Sequence, residues 1–219
     1  MRETGVDYKI IDSVDALEDL ARTIDGEKTV GVDLEADSMY HFKEKVCLIQ
    51  MAARDINVVI DPLRVRDLSP LKPIFRRSDV RKIFHGADYD VRSLYRDFDI
   101  SINNLFDTEL ASRFLGYSET GLEAVLKNKF GVTLDKKFQR KDWSRRPLPE
   151  DMVAYAAKDA RYLLPLAIEL TRELEELGRL WWVQEECANL SKEPAHKLKI
   201  DQNKLQNCRS NILNLVNVL

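Results

Sequence analysis

Asp33 and Glu35 lie two residues apart at the end of an apolar, β-branched run, Lys28 to Leu34. Strand side chains alternate between faces, so the two carboxylates project to the same side. The end of an apolar strand is where open α/β sheets commonly build sites, although a lone Asp-x-Glu is more often a solvated turn. Tyr155 and Asp159 are four residues apart on a helical pattern and share a face. A buried tyrosine beside a surface aspartate would show the same spacing. Asp90 follows the short strand Arg81 to Phe84 by way of His85-Gly86-Ala87-Asp88-Tyr89. The helix dipole alone favours an acidic residue there, and Asp88 suits a capping role better than Asp90.

Gathered in one place, four carboxylates would repel, by about 1 kcal/mol per close pair in water and up to about 4 kcal/mol at an effective dielectric of 20. Divalent cations remove that penalty. Hard oxygen ligands suit Mg²⁺ or Mn²⁺, not the Cys/His set of a zinc site. Two such ions about 3.5–4 Å apart can stabilise the attacking and leaving oxygens of an in-line phosphoryl displacement.

Three segments carry these residues: Val32-Asp33-Leu34-Glu35-Ala36-Asp37-Ser38, Phe84-His85-Gly86-Ala87-Asp88-Tyr89-Asp90-Val91, and Tyr155-Ala156-Ala157-Lys158-Asp159. In this order they resemble the three motifs of the DEDD family of 3′→5′ exonucleases, in the branch with a tyrosine in the third motif. Asp107-Thr108-Glu109-Leu110-Ala111 and Asp142-Trp143-Ser144-Arg145-Arg146-Pro147-Leu148 are similar to ribonuclease D, and the resemblance spans about residues 8–190. It implies a ribonuclease H-like α/β fold, a mixed β-sheet flanked by helices. It implies release of nucleoside 5′-monophosphates from single-stranded RNA 3′ ends, in tRNA precursors or oligonucleotides. By motif match Asp33, Glu35, Asp90 and Asp159 would hold two divalent ions, Mg²⁺ or Mn²⁺. Tyr155 would orient or help deprotonate the attacking water. Free tyrosine titrates near 10, which favours orientation. A register shifted by two would substitute Asp88 for Asp90.

Candidate substrate contacts are Leu34, Met39, His85, Lys137, Arg140, Lys141 and Trp143. His85 reads equally as a structural strand-end residue, and Trp143 as a packing residue. Met39, Tyr40 and Phe42 could wedge against a terminal base or pack at a rim. Lys136, Lys137, Arg140, Lys141, Arg145 and Arg146 fall within eleven residues, with Phe138 and Trp143 interleaved. Basic groups with aromatics suit a single strand's phosphates and bases, while a charge run is also ordinary solvated surface. Asp107 reads as a helix cap or as support behind the site, and Cys47 as core.

The elements that must position these residues follow from the apolar spacing. Ser13 with Val14, Leu17 and Leu20 reads as a capped helix over about 14–24. Val46 to Ala53 and Ile56 to Ile60 read as two strands joined by a hairpin turn. Leu68 to Phe75 is a helix made irregular by Pro70 and Pro73, and Asp88 to Phe98 a regular one. Helices follow over Asp107 to Leu115 and Leu122 to Phe130, then an irregular stretch over 134–148. A long helix runs from Glu150 to about Leu177, which Pro165 should kink or break. Strands followed by trailing helices predict a mixed sheet.

The chain is 44% apolar and 32% charged, with 8 Gly and 7 Pro, which excludes a disordered or fibrous polymer. No apolar stretch approaches the roughly 20 residues of a membrane span, and Met1 to Asp7 lacks the apolar core of a signal peptide. Three scattered cysteines, Cys47, Cys187 and Cys208, form no framework and fit a cytoplasmic setting. The net charge of −3 means that any hold on nucleic acid must come from a local basic patch or from metal ions. Residues 1–190 read as the exonuclease domain. Residues 191–219 read as a helical tail, with Leu205, Cys208, Ile212, Leu215 and Leu219 spaced 3, 4, 3, 4, too short for a complete HRDC-type domain. The competing functions are a short-oligonucleotide nuclease, a DNA substrate, an RNA-binding module with a dead site, and a phosphatase using Asp33 as nucleophile.

Overall fold

The computed structural model describes residues 7–192. The expected helical tail therefore lies, apart from Ser191 and Lys192, outside the described residues, as does Met1 to Val6. Six strands form one mixed sheet: β1 (Lys9–Ile11), β2 (Thr29–Ala36), β3 (Val46–Ala53), β4 (Ile56–Ile60), β5 (Arg81–Phe84) and β6 (Leu105–Asp107). Their spatial order is β1-β4-β3-β2-β5-β6. β2, β3 and β4 form an antiparallel meander, while β1, β5 and β6 join parallel to β4, β2 and β5.

Alternation along β2 divides its side chains between two environments. Val30 and Val32 are fully buried in the main core, with Leu17, Leu20 and Ile24 of α1 (Val14–Ile24) and Val91 and Leu94 of α4 (Asp88–Phe98). Gly31, Asp33 and Glu35 point the other way, towards α7 (Glu150–Glu176), which crosses β2, β3, β4 and β5. A Cβ on Gly31 would lie 2.5 Å from the Ala160 carbonyl oxygen, so the missing side chain is what lets α7 rest on β2. Ala156, Ala157 and Ala160 line the contact and are fully buried.

α7 passes through Pro165 as one helix, so of the kink or break expected there the break does not occur. Proline removes one helical hydrogen bond. Leu163, Leu166, Ala167, Leu170 and Leu174 are all buried along the same helix, and that burial outweighs the loss. The carbonyl left without a donor belongs to Arg161, on the exposed side where water can serve it.

Ser13 caps α1 by accepting from the Ala16 amide. The proline-rich helix is a 3-10 turn at Ser69–Leu71 running into α3 (Lys72–Arg76), after the short α2 (Pro62–Val65). α5 (Thr108–Phe114), α6 (Leu122–Phe130) and α8 (Leu180–Lys192) complete the layers. β1 and β6, three residues each, have no counterpart in the sequence reading, because so short a strand shows no alternation. Among the described residues no helix is long and apolar enough to cross a membrane.

Candidate active site

Asp33, Leu34, Glu35, His85, Tyr155 and Asp159 line one cleft of about 750 Å³. Lys127, Lys136 and Gln139 line its far side with Glu109, Glu119 and Glu123. Asp90 lies beside the cleft, 9% exposed, on the first turn of α4. Strand end, helix start and late helix are thus brought to one place.

The four carboxylates feel one another. Burial raises the pKa of each, and mutual repulsion adds to it: Asp33, Asp159 and Asp90 act on Glu35, and Asp33 acts on both Asp90 and Asp159. Lys158 eases the burden on Asp159. Among the described residues no group of three or more His, Cys, Asp or Glu side chains is gathered into a ready cation site. Closing on a cation would therefore require these side chains to turn inward. Their chemistry fits such a guest, since they are hard oxygen donors whose charge is costly to keep uncompensated.

Tyr155 is held on two sides. Phe138 meets its ring edge-on at 5.5 Å, and Trp143 stacks on it at 6.3 Å. Burial, with Asp159, Glu35 and Asp33 nearby, pushes its hydroxyl well above the usual range, so it stays protonated. Trp143 is only 1% exposed. This corrects its place among the substrate contacts: the indole is buried against the Tyr155 ring, as a packing residue would be.

Asp88 does not cap α4. The N-cap is Ala87, without a side-chain cap, and Asp88 pairs with Arg92 one turn on at 2.8 Å. The turn is held by Asp107 instead, whose carboxylate accepts the amides of Gly86 and Ala87 at 2.9 and 2.8 Å and also those of Glu109 and Leu110. Asp107 therefore fills both of its expected roles, capping α5 and fixing the turn that delivers Asp90. Gly86 has φ +73, and a Cβ there would meet Glu109 at 2.8 Å, so this turn needs glycine.

His85 is half-buried, and burial lowers its pKa. Thr108 donates its hydroxyl proton to the Phe84 carbonyl and must accept from His85 Nδ1, 2.9 Å away. That hydrogen bond makes His85 structural as well as cleft-lining.

Sequence reasoning missed how the β2–β3 loop is clasped. Buried Asp37 accepts the Lys45 amide at 2.7 Å, and its carbonyl accepts from Tyr40 and His41. Tyr40 donates to the Arg140 carbonyl at 2.7 Å, His41 meets Ser144 at 3.2 Å, and Glu44 bonds Tyr89 and Arg96 of α4. Met39 and Phe42 stay 67% and 83% exposed on this loop. The basic run divides accordingly. Arg146 is spent on a bidentate bridge to buried Asp61 at 2.7 and 2.8 Å. Arg145 pairs with Asp142, Lys136 with Glu123, and Lys137 with Asp151 while lying over Phe138. Arg140 and Lys141 are exposed and have no ion-pair partner among the described residues.

A sheet of this order, with acidic residues at the end of β2 facing a covering helix, is the ribonuclease H-like fold of exonucleases. A family model described as 3′-5′ exonuclease matches residues 8–175, and the chain belongs to that family. It is 34% identical to the catalytic core of RRP6 from Trypanosoma brucei, with a TM-score of 0.82 over 87% of this chain and 53% of that one. Against Escherichia coli RNase D, described as an exoribonuclease involved in structured RNA processing, identity is 31% and the TM-score 0.81, covering 86% and 51%. Protein RRP6-like 3 of Arabidopsis thaliana is 38% identical over 177 residues, 80% of this chain and 20% of that protein. The exosome complex exonuclease RRP6 of Saccharomyces cerevisiae is 33% identical over 183 residues, 83% of this chain and 25% of that protein. The chain thus spans a fifth to a quarter of these curated relatives. Family and fold are those the motifs led us to expect.

Proposed function

We propose that this domain is a metal-dependent 3′→5′ exoribonuclease that removes nucleoside 5′-monophosphates from single-stranded RNA ends. The observation that carries the reading is Asp33, Glu35, Tyr155 and Asp159 in one cleft, with Asp90 beside it and close enough to act on Glu35. These four carboxylates are the residues that would hold two divalent ions. When bound, Mg²⁺ or Mn²⁺ would offset the charge of the carboxylates and supply Lewis acidity at the scissile phosphate. Tyr155, immobilised between Phe138 and Trp143, keeps its proton and orients the attacking water by hydrogen bond. Leu34 and His85 flank the terminal nucleotide in the cleft. Arg140, Lys141 and the exposed Met39 and Phe42 receive the strand behind it, supplying cations and apolar faces. RNA as substrate, in precursors such as those of tRNA or in RNA turnover, rests on the relatives named as RNase D and exosome exonuclease. A reducing, cytoplasmic setting rests on the buried free thiols of Cys47 and Cys187.

Digestion of 5′-labelled RNA ladders with Mg²⁺, Mn²⁺ or EDTA tests this. Stepwise shortening from the 3′ end, lost in EDTA and in Asp33→Asn, is expected. Cleavage that survives EDTA, or internal cuts in place of a ladder, would refute it.

A further inference from the structure

Gln50 lies on β3 in the middle of the sheet and is fully buried. Neither Oε1 nor Nε2 has a hydrogen-bond partner among the described residues. A buried group left unpaired costs about 1–3 kcal/mol, so this side chain calls for a reason. Its neighbours supply one. Gln50 stands opposite Asp33 across the β2–β3 ladder and opposite Val59 across the β3–β4 ladder. Directly opposed residues project to the same face with Cβ atoms about 4.5–5.5 Å apart, a span that an amide and a carboxylate can close. Leu48 and Val59, on that face, pack with Ala156 and Ala157 of α7 in an apolar cluster. Asp33 is therefore the polar residue directly opposed to Gln50 in the sheet, while Tyr155 borders the same apolar cluster. Asn57, whose Oδ1 is also unpaired, is a diagonal neighbour, opposite Ala52, and such pairs stand about 7–8 Å apart.

We propose that Gln50 is a positioning residue of the active site: its side-chain amide donates to the Asp33 carboxylate and fixes the orientation in which that carboxylate holds a divalent cation. The proposal rests on reading the four carboxylates as cation ligands. A carboxylate offers about four lone-pair positions. Those that a cation does not use must be held by the protein, and partners of this kind set ligand geometry. The buried donor beside Asp33 is poised for that task once the carboxylates turn inward.

Calorimetric Mn²⁺ titration of the parent, Gln50→Leu and Gln50→Asn, with thermal unfolding of each without cation, tests the proposal. Cation-free Gln50→Leu should melt at or above the parent, because two unpaired groups are gone. Its Mn²⁺ affinity should fall by about 10–100-fold, the usual effect of removing a ligand's partner. Gln50→Asn keeps a polar side chain but withdraws the amide by one methylene. It should lose affinity too, and it decides the matter if Gln50→Leu does not fold. A folded variant with a lower melting temperature and unchanged Mn²⁺ affinity would make Gln50 a core residue serving Asn57 and overturn the proposal, leaving the cation site intact. A parent that binds no Mn²⁺ would overturn both readings.

Discussion

Gly31→Ala should disturb the chemistry without touching any residue that performs it. The new Cβ would lie 2.5 Å from the Ala160 carbonyl oxygen and 3.3 Å from Leu163 Cβ. Real contacts essentially never fall below 3.0 Å, and the oxygen belongs to helix backbone that cannot swing aside. α7 must therefore move away from β2 by about 0.5 Å or more, as overpacking of a close-packed interior demands. Asp159 directly precedes Ala160, and Asp33 follows Gly31 by two residues, so the shift falls between two of the four carboxylates. Overpacking of this kind costs about 1–3 kcal/mol. Misplacing reacting groups by about 1 Å can cost about 100-fold, and half that shift should slow cleavage by about tenfold. Urea unfolding would measure the first effect and single-turnover release of the 3′-terminal nucleotide the second. Gly26→Ala, with nothing within 4 Å of its Cβ, is the control and should be neutral. If Gly31→Ala keeps its stability within about 0.5 kcal/mol and cleaves at the parent rate, the close approach of α7 does not set the carboxylate geometry.

Asp90→Asn should nearly abolish cleavage, whereas Asp88→Asn, which weakens the surface pair with Arg92, should keep most of it; the reverse pattern in ladder assays would shift the second motif by two residues. Tyr155→Phe keeps the ring between Phe138 and Trp143, so RNA binding should hold while single-turnover cleavage slows, and an unchanged rate would remove the hydroxyl from the mechanism. The carboxylates of Asp33, Glu35, Asp90 and Asp159 are raised in the fold, mainly by burial. The folded state therefore binds more protons than the unfolded one, and cation-free stability should fall as pH rises from the ordinary carboxylate range through neutrality. Melting curves without cation should show a lower Tm at about pH 8 than at about pH 5, with Mn²⁺ restoring the loss at the higher pH; a cation-free Tm that rises over this window would mean the carboxylates are not strained together. Arg140→Ala with Lys141→Ala should weaken unrelated single strands alike and flatten the plot of log affinity against log salt by about 0.7 per lost phosphate contact, while an unchanged slope in the folded variant would take the RNA path elsewhere.

The family of this protein was legible in its linear order because the motifs depend on residue type at fixed local spacing. Two residues along a strand and four along a helix place side chains on one face wherever the element ends up, so Asp33 with Glu35 and Tyr155 with Asp159 could be paired before any fold was known. The long apolar patterns of β2, β3, α1 and α4 were readable for the same reason. Other features depend on contacts between distant segments. β1 and β6 are strands only because β4 and β5 offer them edges. α7 runs through Pro165 because its buried face is laid on the sheet. Asp107 holds a turn twenty residues before it, Arg146 is withdrawn from the basic patch by Asp61, and Trp143 lies under Tyr155. Gln50 sits in an ordinary apolar run and meets Asp33 only through the strand register. Local spacing puts candidate groups on one face, because backbone geometry repeats, and the order of the motifs singles them out through their resemblance to a family. Which of them are buried, paired or left free is set by packing across the chain, where burial and hydrogen-bond satisfaction are decided.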